Sequence, residues 1–289
     1  MLSYRHVYHA GNHADVLKHC VLVEIGDYMV KKEKPLWAVD THAGSGMYAL
    51  TSPEATKNAE YKSGIAHLWQ RQDLPEGLRH YMELVKSCNK SSVLTAYPGS
   101  AWLLQQLIRQ QDKLHLFELH PEDKRHLNRL FRDDTRITLH ETDGFQAIKA
   151  LLPPPPKRAF IHIDPPYEIK KDYQQVITSL QQGIKRFATG VYMVWYPLLN
   201  QRDSINFADK IKNIGCDKWL NVIFKVAEPN LSASKERAHS TESYGMFGSG
   251  VFVVNPPWQL QETLQAVLPY LVTHLTAGAG SFVVDTHGC

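Results

Sequence analysis

Trp37-Ala38-Val39-Asp40-Thr41-His42-Ala43-Gly44-Ser45-Gly46 runs from an apolar strand into a glycine-rich turn. Glycines let such a backbone turn sharply and approach a ligand where a Cβ would collide. With Ala49 the turn reads G-x-G-x-x-A, which also fits a dinucleotide oxidoreductase. That reading needs an acidic residue about 20 positions on, closing the second strand. Here a long stretch intervenes, and the acidic residue at a second strand end is Glu118, in Leu116-Phe117-Glu118-Leu119-His120. A carboxylate there can accept both hydroxyls of a ribose. The two segments together point to a nucleoside cofactor and leave its identity open.

Apolar runs of strand length, rich in aromatic and β-branched residues, lie at 36–40, 113–118, 136–140, 159–164, 191–195, 219–226 and 250–255. Helical patterns separate most of them, such as Leu103, Leu104, Leu107, Ile108 and Leu127, Leu130, Phe131. This alternation predicts an α/β fold, a parallel sheet covered on both faces. The last two runs have no clear helix between them and read as an antiparallel pair at the sheet's end. Seven strands so arranged give the Rossmann-like sheet of a class I S-adenosylmethionine-dependent methyltransferase.

The connection from Gly46 to Tyr97 is too long for a simple crossover and carries Ile65, Leu68, Trp69 and then Leu78, Tyr81, Met82, Val85 at helical spacing. Residues 50–93 therefore read as an inserted helical subdomain, with 1–49 and 94–289 forming the methyltransferase domain and an N-terminal motif in 1–20. Four prolines at 153–156 read as a stiff connector into the fourth strand.

The chain has 289 residues, 43% hydrophobic and 21% charged, which is ordinary for a globular protein and ample for a large core. Its net charge of +3 permits a polyanionic partner without demanding one. Cys20, Cys88, Cys216 and Cys289 are scattered, with no C-x-x-C pair, which fits a reduced compartment better than a disulfide framework or zinc site. With no signal-peptide run at the N-terminus and no apolar stretch near 18 residues, the expectation is a cytoplasmic protein without a membrane partner.

The fourth run ends in Asp164-Pro165-Pro166-Tyr167, which decides the reaction class. An aniline-like amine is a poor nucleophile because its lone pair is delocalised into the ring. A site that methylates it must hold the nitrogen in line with the methyl donor and favour a more tetrahedral nitrogen. Asp164 can accept one N–H and the Pro165 carbonyl the other, while proline's fixed φ stiffens the loop. Tyr167 can stack on a flipped base. A third strand end supplies Glu141-Thr142-Asp143-Gly144-Phe145; in a Rossmann-like methyltransferase this is where a carboxylate meets the adenine amino group and an aromatic flanks the ring. A second tetrapeptide, Asn255-Pro256-Pro257-Trp258, competes with the first. If its strand is the antiparallel one, its carboxyl end points away from the ligand edge, and the tetrapeptide is structural.

The densest polar stretch is Tyr4-Arg5-His6-Val7-Tyr8-His9-Ala10-Gly11-Asn12-His13-Ala14-Asp15-Val16-Leu17-Lys18-His19. Asn12 reads as an N-cap, so His13 onward should be helical. His13 and His19 are six apart and fall on different helix faces, so no metal site is expected. This stretch, with DTHAGSG, YPGS (97–100), ELHP, TDGF, DPPY and NPPW in that order, resembles the RlmJ family over nearly the whole chain. The resemblance implies N6-methylation of adenine 2030 in 23S ribosomal RNA, using S-adenosylmethionine and releasing S-adenosylhomocysteine; a monomer is expected. It implies cofactor contacts from His19, His42, Ser100, Glu118, Asp143 and Gly144, catalysis at Asp164, and Tyr4 and Lys18 near the incoming adenosine. The stretch 232–250 looks long for the family, so RNA contacts do not carry over there. An adenine-N6 DNA methyltransferase would share these motifs, and an RNA-binding module with a vestigial site is the non-enzymatic rival. Lys57, Lys62, Arg71, Arg79, Lys86 and Lys90 nominate the insertion as an RNA grip.

Overall fold

Asn12 opens the first long helix: its side-chain oxygen accepts the N–H groups of Ala14 and Asp15, both at 3.0 Å. The computed structural model describes residues 5–227 and 245–289, so Tyr4 and most of the 232–250 stretch lie outside the described residues. Helix α1 (His13–Val30) is buried on nearly every side, as a helix apolar all round must be. In chain order follow β1 (Trp37–Asp40), β2 (Met47–Ala49), α2 (Pro53–Asn58), α3 (Glu76–Ser87), β3 (Ala96–Pro98), α4 (Ser100–Leu107), β4 (Lys113–Phe117), α5 (Pro121–Phe131) and β5 (Ile137–His140). The second half adds α6 (Ala147–Leu151), β6 (Ala159–Ile163), α7 (Lys170–Arg186), β7 (Val191–Leu198), α8 (Arg202–Ile205), α9 (Phe207–Lys212), β8 (Trp219–Lys225), β9 (Gly248–Val254), α10 (Leu260–Leu275) and β10 (Ser281–His287).

All seven expected runs are strands of one sheet, ordered β10-β8-β9-β7-β6-β1-β4-β5. Strands β5, β4, β1, β6 and β7 are mutually parallel, and β9 runs antiparallel to both β7 and β8. This is the Rossmann-like methyltransferase order, with one correction: the sheet has eight strands, not seven. Strand β10 pairs antiparallel with β8 from Ser281↔Lys225 to His287↔Trp219, so the β8–β9 pair does not end the sheet. As a half-exposed edge strand, β10 lacks the continuous apolar run that marks strands buried on both faces. The short β2–β3 antiparallel pair is likewise absent from the sequence-based expectation.

Register aligns the strand ends, because Asp40 on β1 is level with Leu116 on β4 and His162 on β6. One core layer packs α1, α3, α4, α5 and α10 on the sheet, and the other packs α6, α7 and α9 on the opposite face. Within 50–93, Ile65, Leu68, Leu78, Tyr81, Met82 and Val85 belong to the first layer and share it with α1 and α10. The later group forms α3, whereas the earlier one forms only a 3₁₀ turn at Ile65–His67.

Candidate active site

The site grows from four strand ends. After β1, Gly44 and Gly46 take positive φ angles of 58° and 74°. That turn directs the Gly44 N–H onto Glu118 Oε2 at 2.9 Å, while the His120 N–H reaches Glu118 Oε1 at 2.7 Å. Glu118 is thus aimed by backbone at both oxygens; burial raises its carboxyl, and the N–H groups of His120 and Gly44 oppose that rise. After β5, the Asp143 carboxylate accepts the Phe145 N–H at 2.9 Å and caps a short 3₁₀ turn. Gly144 lies so close to β1's exit that a Cβ would sit 1.7 Å from the Thr41 carbonyl oxygen, which excludes any side chain. The Phe145 ring meets His42 edge-on at 5.0 Å. Burial holds His42 down at about 4, against the opposing pull of Asp164, Asp40 and Asp143, so it is neutral at pH 7.

Asp40 has a different task from the other strand-end carboxylates. It is fully buried and accepts Ser100 Oγ–H at 2.7 Å and His162 Nδ1–H at 3.1 Å. Burial opposes its ionisation, yet His162 and Ser100 hold its carboxyl below the ordinary value. Ser100 is thereby fixed at the start of α4. His19 is also buried; its Nδ1 meets the Tyr97 hydroxyl at 2.8 Å, which in turn meets the Tyr81 hydroxyl at 2.9 Å. Burial pushes the His19 imidazole well below its ordinary value, so its ring is neutral.

At the end of β6, Asp164 Oδ2 accepts Lys18 Nζ at 2.7 Å. Among the described residues no other hydrogen bond reaches this carboxylate, and its side chain is 14% exposed. The Lys18 ammonium, nearly enclosed, also lies 2.9 Å from Asp15 Oδ1 and 5.4 Å from the centre of the Trp195 ring. Burial would lower its pKa, but Asp15 and Asp164 raise it above the ordinary lysine value. Pro165 is buried, and Tyr167 takes a φ of 53° that turns the loop. Tyr167 is only 6% exposed, donates its hydroxyl to the Trp195 carbonyl at 2.6 Å and packs on Tyr173 at 4.7 Å. The structure therefore places this ring in the wall behind Asp164.

The second tetrapeptide sits elsewhere. Asn255 Nδ2 donates to the carbonyls of Ala188 and Gly190, each at 2.7 Å, just before β7 begins and hence at the opposite edge of the sheet. Asp15 and His162 lie inside the motifs, but sequence reasoning assigns neither a role. The i,i+3 spacing of Asp15 and Lys18 on one helix face is the available signal for the first. His162 leaves none, because its partner Asp40 lies 122 residues away.

The N-terminal segment is clasped onto 50–93. Glu60 accepts His9 Nδ1–H at 2.8 Å and Asn12 Nδ2–H at 2.9 Å, and the Ile65 N–H reaches the Gly11 carbonyl at 2.8 Å. Arg71 is occupied by Asp73 and the Tyr270 hydroxyl, whereas Lys57, Lys62, Arg79 and Lys90 are exposed. Among the described residues no three His, Cys, Asp or Glu side chains gather in a metal-holding group, and no helix is long and apolar enough to cross a membrane.

Comparison with known proteins agrees with this architecture. The chain is 45% identical to the ribosomal RNA large subunit methyltransferase J of Escherichia coli (strain K12), over 99% of this chain and 98% of that protein. It is 41% identical to the Haemophilus influenzae protein of the same name, again over 99% and 98% of the two chains. A solved structure from Legionella pneumophila superposes with a TM-score of 0.86 at 34% identity, covering 96% of this chain and 98% of the other. The family model described as ribosomal RNA large subunit methyltransferase D, RlmJ, matches residues 33–286. With the eight-stranded sheet and the DPPY loop, these matches show that the chain belongs to the RsmJ/RlmJ family of ribosomal RNA large subunit methyltransferases.

Proposed function

We propose that the protein transfers a methyl group from S-adenosylmethionine to the N6 amine of an adenine in 23S ribosomal RNA, adenine 2030 by its family resemblance. The observation that carries this reading is Asp164: a partly exposed carboxylate at the end of a parallel strand, with one oxygen held by Lys18 and the other accepting no hydrogen bond among the described residues. The residues present fit the cofactor. Glu118 offers its carboxylate to ribose hydroxyls, and Asp143 offers its own to the adenine amine. Gly144 leaves no side chain where the turn meets Thr41, and the His42–Phe145 pair supplies a ring wall. His19 and Ser100 shape the floor through Tyr97 and Asp40. When bound, S-adenosylmethionine supplies a methyl group activated on a sulfonium.

Asp164 Oδ1 accepts one N–H of the target amine and the Pro165 carbonyl accepts the other, which steers the nitrogen lone pair out of the ring plane. Lys18 occupies the remaining Asp164 oxygen, so the carboxylate has one orientation available. As nitrogen gains its new bond to carbon it loses a proton, which passes by way of Asp164 Oδ1 to solvent. Such positioning is worth up to about 7–11 kcal/mol in favourable systems. Tyr167 braces the loop through Trp195, and the family resemblance puts Tyr4, which lies outside the described residues, near the incoming adenosine. RNA lies along the inserted segment 50–93, and the protein works in the cytoplasm as a monomer.

One experiment separates the rivals: tritium transfer from labelled S-adenosylmethionine into RNA, DNA and protein of the same lysate, followed by nucleoside analysis. Label in 23S RNA recovered as N6-methyladenosine is the expected result. Label in DNA would give the substrate to DNA instead, and no label in any fraction would leave a binding module.

A further inference from the structure

We propose that Asp15 is a positioning residue for methyl transfer, holding the Lys18 ammonium on one oxygen of Asp164 so that the other is left for the target amine. The inference rests on the reading of Asp164 given above. Asp15 lies in the first turn of α1 and is 1% exposed, yet both of its carboxylate oxygens have partners. Its Oδ2 accepts the Gly11 N–H at 2.9 Å and His6 Nε2 at 2.9 Å, and its Oδ1 lies 2.9 Å from Lys18 Nζ. Bracing of the turn that leads into α1 accounts for the Gly11 contact. It does not account for an ammonium buried against the opposite oxygen. Burying charges is costly, and a purely structural site of this size is often as well served by apolar packing.

Lys18 has three neighbours around its ammonium: Asp15 on its own helix, Asp164 on the loop after β6, and the Trp195 ring on β7. His6 and His19 are the other titratable groups acting on Asp15. With Asp15 removed, Lys18 could swing along its flexible stem and release or rotate the Asp164 carboxylate. Misplacement of a reacting group by about 1 Å can cost about 100-fold in rate. Asp15 also supports the charge on Lys18, whose burial works against it.

The test compares Asp15→Asn with the parent and with Asp27→Asn, which sits on the same helix but pairs with His80. For Asp15→Asn, kcat on ribosomal RNA should fall about 10- to 100-fold, with KM for RNA and affinity for S-adenosylhomocysteine within about twofold. Its kcat should also acquire an alkaline limb that the parent lacks, because Lys18 has lost one of the two carboxylates that keep it charged. Asp27→Asn should match the parent in both respects. Amine-reactive labelling followed by peptide mapping provides a readout independent of turnover: Lys18 should be protected in the parent and modified in Asp15→Asn. An inactive parent whose Lys18 is protected and becomes labelled in the variant would sink the methylation reading but uphold the Asp15–Lys18 link. An unchanged kcat, a uniform loss of RNA and cofactor affinity with no alkaline limb, or a freely labelled Lys18 in the parent would overturn the proposal. If Asp15→Asn does not fold, Asp15→Glu, which keeps the charge but moves it by a methylene, should show the kcat loss without the alkaline limb. Full activity in that variant also counts against the proposal.

Discussion

The two proline-proline tetrapeptides make opposite demands on single residues. Asp164→Ala removes the carboxylate proposed to accept the target amine, so turnover should be lost while S-adenosylhomocysteine binds within about twofold of the parent by calorimetry. Asn255→Ala removes two hydrogen bonds to the carbonyls of Ala188 and Gly190 and places alanine at a φ of 53°. That combination should cost about 1–3 kcal/mol of stability, seen as a lower Tm, with kcat preserved. Equal loss of turnover in both folded variants would refute the division of roles. Gly144 is constrained by space and not by φ, since any Cβ there meets the Thr41 carbonyl. Gly144→Ala must push the β5–α6 turn off β1, and affinity for S-adenosylhomocysteine should drop by about tenfold or more; an unchanged Kd would remove this turn from the cofactor site.

At the scale of elements, residues 50–93 join β2 to β3 and carry the cations proposed to meet RNA. Lys57, Lys62 and Lys90 are exposed there and Lys86 is half-buried, whereas Arg71 is already paired with Asp73 and bound to α10 through Tyr270. Reversing Lys57, Lys62, Lys86 and Lys90 to Glu should weaken RNA binding and flatten its log–log salt dependence by about 0.7–0.9 for each phosphate no longer neutralised. Cofactor affinity should be untouched. Parent-like methylation across a salt series would exclude this element as the grip. Seven of the eight strands were legible, most of them because strands buried on both faces need continuous apolar runs. Strand β10 was not, because this edge strand has only a three-residue apolar run, Phe282-Val283-Val284, and stays partly exposed along its length. The same distinction governs the site. Glu118, Asp143 and Asp164 were legible as carboxylates at strand ends. That Asp40 is consumed by Ser100 and His162, or that Tyr167 turns inward onto Trp195, depends on partners brought near only by folding.

Across the whole molecule, buried histidines set the acid limit of stability. Burial holds His42 and His115 each at about 4, and His19 well below its ordinary value. A group whose folded pKa lies below its unfolded value near 6.5 contributes full stability above that pH and loses it as pH falls toward the folded value. Tm should therefore begin to drop just below about pH 6.5 and continue falling toward pH 4. Asp15 and Asp40, also held below their ordinary value, add a later loss at still lower pH. His115→Phe should shallow the first decline, and a Tm constant from about pH 7 to 4.5 would contradict this account. The clasp between the N-terminal segment and the insertion bears on how such enzymes can be recombined. A Cβ on Gly64 would lie 2.1 Å from the Gly11 carbonyl oxygen, and Glu60 holds both His9 and Asn12. Residues 50–93 are therefore not a cassette to be exchanged freely between relatives. A graft must bring a glycine and a carboxylate at these two positions, or the recipient's residues 9–12, which lead into its first helix, will lose their clasp.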